Sequence, residues 1–203
     1  MKVSSLTIAL LISGFCAQAS SNNLWPACET IDKTVVDSRQ GDSVAQLNLG
    51  KCYLIGKGVE QNFGLYAQWV MKSAEQGYAP AQYEAGKVYE YGRGAEQDPV
   101  KSFLWYKRAA DQNFLFAIPE VSLRYSQGNG VTKDFSKAAE WTKRGAELGS
   151  PGDQKLLGLF YETGKGVNKD LEKARYWYKK AANQQEDLSE ARSAQRYLDA
   201  LNK

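Results

Sequence analysis

The chain has 203 residues, with 26 Lys plus Arg against 23 Asp plus Glu and a formal net charge of +3, so near to balance that it carries no electrostatic footprint for nucleic acid. It contains no histidine. That removes the commonest general base, the usual partner of a serine or cysteine nucleophile and the commonest zinc ligand, and neither a cofactor nor a metal is expected.

Residues 1–19 read as a secretory signal. Lys2 gives a positive start, an apolar run extends from Leu6 to Phe15, and Ala17-Gln18-Ala19 supplies the small residues of a cleavage site. The run is too short to cross a bilayer core of about 30 Å as a helix. Cys16 raises the alternative of lipidation, against which Phe15 is bulky where a lipidation site wants a small residue. Without Lys2 the chain keeps 25 basic against 23 acidic residues, a net charge of +2. No second long apolar run follows, so stable membrane insertion is not expected, and the protein is placed in the periplasm or outside the cell.

From Gly41 onward the sequence repeats every 36 residues. Residues 20–42 precede the first complete unit, and Gly41 aligns with Gly77, so residues 25–40 read as a lone second helix capping the stack. Cys28 and Cys52 lie equidistant from the turn at residue 40, which places them opposite each other on antiparallel helices. An even pair of cysteines in an exported chain points to a disulfide; two inert buried thiols are the alternative. The bond would close a loop of about 25 residues and add roughly 3 kcal/mol.

Four units follow, at 43–78, 79–114, 115–150 and 151–186. Gly56/Gly58 recur as Gly92/Gly94, Gly128/Gly130 and Gly164/Gly166. Trp69, Tyr53 and Ala74 recur at the same step, as Trp105, Trp141 and Trp177, as Tyr89, Tyr125 and Tyr161, and as Ala110, Ala146 and Ala182. Each unit reads as two helices. In the fourth, Leu156, Leu157, Phe160 and Tyr161 form a helical apolar set. Gly164 and Gly166 end that helix, and Asp170 caps the next, as Asn62, Asp98 and Asp134 do in the other units. A lone pair cannot bury its apolar faces, so adjacent pairs must stack. Unit three departs twice. Pro119 should delay its first helix to near Ile118, and Ser122 replaces the glycine of Gly50, Gly86 and Gly158, which predicts looser packing.

Residues 187–203 form a C-terminal capping helix, opened by Asp187 and Glu190 as a capping box. Leu188, Ala191, Ala194 or Gln195, Leu198 and Leu201 make its apolar stripe. A docking helix for a partner is the alternative reading.

The stretches LGKCYLIGKGVEQN, AGKVYEYGRGAEQD, SLRYSQGNGVTKD and LGLFYETGKGVNKD, each followed by a Trp-containing, Ala-rich helix, resemble the Sel1-like repeat family, relatives of the tetratricopeptide repeats. The resemblance covers residues 43–185. It implies an all-α fold, a right-handed solenoid of helix pairs with a concave face, and roles as adaptor, regulator or sequestering partner. Some cysteine-rich members have been linked to penicillin binding or β-lactam hydrolysis.

In such an architecture the first helix of each pair lines the groove. The groove-facing set is then Leu47, Lys51, Tyr83, Lys87, Glu90, Phe116, Leu123, Lys155, Leu159 and Glu162. Aromatic and apolar anchors with a charged rim are what protein-binding faces use. Alternatively, Leu47, Phe116 and Leu159 are simply core. Reactive constellations are scarce. The Gly-x-Gly pairs are turns, Ser43 and Ser73 have no base partner in the sequence, and Glu90 and Glu162 read as a solvated face. The expectation is a monomeric, non-enzymatic protein that binds an effector, an enzyme or an envelope component, as adaptor, regulator or immunity protein. A β-lactam-binding or hydrolysing enzyme is the alternative.

Overall fold

The computed structural model describes residue 28, residues 30–184 and residues 188–201. The signal segment, the start of the N-terminal cap and Asp187 lie outside the described residues. Among those described there are ten α-helices and no strand: α1 (Ile31–Arg39), α2 (Ser43–Ile55), α3 (Phe63–Glu75), α4 (Ala79–Tyr91), α5 (Pro99–Asp111), α6 (Ala117–Gln127), α7 (Phe135–Glu147), α8 (Pro151–Thr163), α9 (Leu171–Ala182) and α10 (Leu188–Leu201). Each packs on its chain neighbours, giving an α-solenoid in which α2/α3, α4/α5, α6/α7 and α8/α9 are the pairs.

The turn chemistry dictates the pairs. Gly56, Gly92, Gly128 and Gly164 take the left-handed conformation and cap the first helices. Six residues further on, Asn62, Asp98, Asp134 and Asp170 cap the second helices through side-chain oxygens that accept from the amides of Leu65, Lys101, Lys137 and Lys173. Their own amides donate to the carbonyls of Tyr53, Tyr89, Tyr125 and Tyr161 at 2.8–3.0 Å, which ties both ends of the turn together. The bonds donated by the Lys101 and Lys173 amides hold the carboxyls of Asp98 and Asp170 below the usual carboxylate range.

The second glycine of each turn joins one repeat to the previous one. A Cβ on Gly130 would stand 2.0 Å from the carbonyl oxygen of Pro99, and one on Gly166 2.0 Å from that of Phe135. Each turn therefore sits directly on the start of the preceding second helix. A glutamine ladder adds a further tie. Gln46, Gln82 and Gln154 donate to Ser38, Ala74 and Ala146 carbonyls, and receive amide bonds from Gln76, Gln112 and Gln184. These glutamines share the 36-residue register in repeats one, two and four, with Ile118 and Leu148 in their place in repeat three.

The four recurring indoles are not the deepest side chains of the repeats. Trp105 is buried and the other three are half-buried. A cation three residues on covers each ring: Lys72, Arg108, Arg144 and Lys180, at 4.3–5.1 Å from the centroids. The fully buried volume comes instead from Tyr66, Tyr106, Tyr178, Leu49, Ile118 and Leu157.

At the N-terminus α1 starts at Ile31, and Cys28 is bonded to Cys52 with Cα atoms 5.6 Å apart. At the C-terminus α10 lies against α9 and touches α8. Ala191 and Ala194 are buried and Tyr197 stacks on Tyr178 at 5.3 Å, but Leu188 is exposed, so the apolar stripe does not begin there.

Unit three starts its first helix at Ala117, with Pro119 in the first turn, where no amide donor is needed. Looser packing is expected at Ser122, and Ser122 borders an open pocket between α6 and α8 although its own hydroxyl is bonded. Ser122 is buried, its hydroxyl 2.9 Å from the Ala138 carbonyl and 2.7 Å from Thr142 Oγ1.

Candidate functional site

Side chains link the first helices α2 to α4 and α4 to α6, and the first helix α8 to α10. Lys51 of α2 reaches Glu84 of α4, Glu90 of α4 reaches Arg124 of α6, and Lys155 of α8 reaches Glu190 of α10.

The N-terminal half of the first-helix face is ionic. Glu84 is nearly buried. Its carboxylate accepts from Tyr66 Oη at 3.2 Å and from Lys87 Nζ at 3.3 Å, with Lys51 Nζ at 3.9 Å. Burial pushes the Lys51 ammonium down from its ordinary pKa, and Glu84 opposes that. One junction further along, the Tyr106 ring lies on Gly86, where a Cβ would stand 2.7 Å from it. Tyr106 Oη donates to Glu90 at 2.6 Å. The Arg124 guanidinium covers the ring at 4.3 Å and pairs with Glu90 at 3.0 Å and Glu120 at 2.6 Å. Arg124 is only 3% exposed, a buried cation held between two carboxylates. Desolvation, then the bond to Glu90, raises the Tyr106 hydroxyl far above its ordinary pKa.

The C-terminal half is apolar. The mutually tilted rings of Tyr83, Phe114 and Phe116 lead into it, with centroids 5.5–6.4 Å apart. Desolvation, with Glu120 and Glu84 nearby, pushes the Tyr83 hydroxyl up to about 12. Phe116 is 67% exposed, and Leu123, two turns along α6, is 46% exposed. Between α6 and α8 a pocket of about 490 Å³ opens, walled by Leu123, Leu156, Leu159 and Phe160.

The expected groove residues divide accordingly. Leu47 is not on the surface: at 3% exposed it is core, packed in the cluster around Tyr66 and Val70. Lys51 and Lys87 converge on Glu84. Glu90 and Glu162 accept the hydroxyls of Tyr106 and Tyr178, each at 2.6 Å. They are therefore acceptors for interior tyrosines rather than a merely solvated face. Lys155 is taken up by Glu190 and Ser193 of α10. Tyr83, Phe116, Leu123 and Leu159 remain as apolar surface. Sequence reasoning missed Glu84 and Arg124. The signal for Arg124 was a lone charge in a column otherwise filled by Cys52, Val88 and Phe160.

The Sel1 repeat profile matches residues 43–78, 79–114, 120–150 and 154–186, well over half of the chain. The chain belongs to the Sel1 repeat family. Solved Sel1 repeat structures superpose on it. A protective antigen of uropathogenic Escherichia coli strains with an SLR fold is 35% identical, with TM-score 0.72, over 76% of this chain and 33% of that one. A Sel1 repeat protein from Oxalobacter formigenes is 33% identical, with TM-score 0.73, over 83% of this chain and 48% of that one. An immunity protein from Pseudomonas aeruginosa shares the fold at 19% identity and TM-score 0.53, over 96% of this chain and 70% of that one. The chain thus spans a third to a half of the length of the first two. None of the curated proteins matches it. Among the described residues of this Sel1 repeat protein, no helix is long and apolar enough to cross a membrane, and no group of three or more Cys, Asp or Glu is placed to hold a metal ion.

Proposed function

We propose that this Sel1 repeat protein is exported and binds a partner protein through the concave surface of its first helices. It would act as an adaptor or regulator, or as an immunity protein that covers a toxic effector, and not as an enzyme. The observation that carries this reading is Phe116, 67% exposed beside Leu123 at 46% on one side of α6. Apolar groups of this size gathered on one face and bordered by the ion pairs of Glu84, Lys87 and Glu90 are the composition of a recognition surface, an apolar centre with a charged rim. Export is supported by the reading of residues 1–19 and by the Cys28–Cys52 bond, which persists in oxidising compartments.

The test is affinity capture from a native envelope extract with the processed protein and with a Phe116→Asp/Leu123→Asp variant, followed by mass spectrometry. A partner held by the wild type and lost by the variant is the expected result. A phospholipase or peptidoglycan hydrolase as that partner indicates immunity, and a sensor or secretion component indicates an adaptor. Turnover of a chromogenic β-lactam, abolished by the same substitutions, would instead make the chain an enzyme.

A further inference from the structure

The tyrosine interlock of repeats two and four is missing from repeat one, which has Leu54 and Val70 at the carboxylate and ring positions, and from repeat three, at its junction with repeat four. At repeat two, Gly86, Glu90 and Tyr106 act together: the glycine makes room for the ring, and the carboxylate accepts its hydroxyl. Gly158, Glu162 and Tyr178 repeat the arrangement at repeat four, where a Cβ on Gly158 would stand 2.6 Å from the ring. At the matching positions repeat three has Ser122, Ser126 and Thr142. Ser122 and Thr142 bond each other, and α7 supplies no ring at the position of Tyr106 and Tyr178. The neighbours change with them. Glu120 and Arg124, which enclose Tyr106, are matched by Leu156 and Phe160. The pocket of about 490 Å³ lies at this place. It is thus an apolar counterpart of a seat that the chain fills with its own tyrosine elsewhere.

The mouth of the pocket is cationic. Phe135 and Lys165 border it, and the ammonium groups of Lys165 and Lys133 lie 4.2 Å and 5.1 Å from the Phe135 ring centroid. Both lysines are exposed, and among the described residues neither pairs with a carboxylate. We propose that this pocket receives an aromatic side chain of the partner protein, with the partner's flanking carboxylates on Lys133 and Lys165. The ring would occupy the place of the missing tyrosine, and the acidic groups would neutralise the free ammonium groups. This rests on the reading of the first-helix face as a binding surface and names the chemistry recognised there.

Ser122→Gly/Ser126→Glu/Thr142→Tyr restores the interlock and fills the pocket from within, leaving Phe116 and the rim unchanged. Lys133→Glu/Lys165→Glu reverses the mouth with two exposed substitutions and does not depend on repacking. The probe is a phage-displayed library of random twelve-residue peptides, selected on the processed protein and sequenced. The expected result is enrichment of peptides with Trp, Tyr or Phe next to Asp or Glu, weakened at least tenfold by the filled variant and by the reversed mouth. Peptides bound equally by wild type and both variants would overturn the pocket while leaving a binding face elsewhere on the first helices. No enrichment, or enrichment of basic peptides, would overturn it as well.

Discussion

Asp153 is an anomaly at the residue scale. The matching positions are Ala45, Ala81 and Ala117, all within the packed interior. Asp153 is 2% exposed, and its Oδ2 has no hydrogen-bond partner. Gly145, facing it, stands where repeat two has Ala109, so one substitution has made room for the other. Desolvation pushes the Asp153 carboxyl up to about 6, with Ser150 opposing. A folded-state pKa above the unfolded value favours the protonated form. The associated stability is full below pH 4 and is lost as pH rises through 6, a cost approaching about 3 kcal/mol above that pH. Gly145→Ala/Asp153→Ala restores the pair of repeat two. Urea denaturation should find the double variant more stable than wild type by about 1–3 kcal/mol at pH 7.5, with the gain shrinking at pH 4.5. An equal gain at both pH values would remove Asp153 as the cause. The sequence shows Asp153 as a charge in a column of alanines, but the partnerless Oδ2 emerges only from the packing of α7 on α8.

For the elements, turns and caps were legible and the contacts between repeats were not. A glycine pair followed by a cap residue announces where one helix stops and the next starts. It does not say that Gly130 touches the Pro99 carbonyl, because that contact joins segments 31 residues apart. Two glycines with positive φ therefore respond differently to alanine. Gly149, at φ 96°, has open space around its Cβ position, so Gly149→Ala should cost only about 1 kcal/mol of backbone strain. Gly130→Ala adds a clash with backbone and should cost about 3 kcal/mol or more. Equal losses in thermal unfolding would show that the close approach is unimportant. Asp134→Ala removes a cap on α7 and should cost about 1 kcal/mol in the same measurement. Ser122 shows the same limit: the sequence signals a change of packing there but not the hydroxyl pair that accompanies it. Read alone it is an oversized glycine replacement; beside Thr142 in place of a tyrosine, it fits.

Over the whole molecule, the period of 36 residues fixed the order of the helices and the stacking of like on like. It left open which side chains of the first helices reach the surface. Positions one period apart do different work: Leu47 is core, Tyr83 is part of an aromatic cluster, and Lys155 is tied to the terminal helix. The face changes character along the stack, ionic over α2 and α4 and apolar over α6 and α8. The two ends are held differently. α10 is attached by Lys155–Glu190 and by Tyr197 on Tyr178, while the segment before α1 is attached by Cys28–Cys52. Reduction of that bond should lower stability by roughly 3 kcal/mol. In hydrogen exchange, the faster-exchanging amides should lie in α1 and α2, with α8–α10 unchanged. Uniform acceleration across all helices would instead mean that the bond holds the whole stack. The central claim is that partners meet the first-helix face, and hydrogen exchange on the captured complex tests it most directly. Amides of α6 and α8 should gain protection on binding while those of α5 and α7 do not change. Protection confined to the second helices would contradict the account.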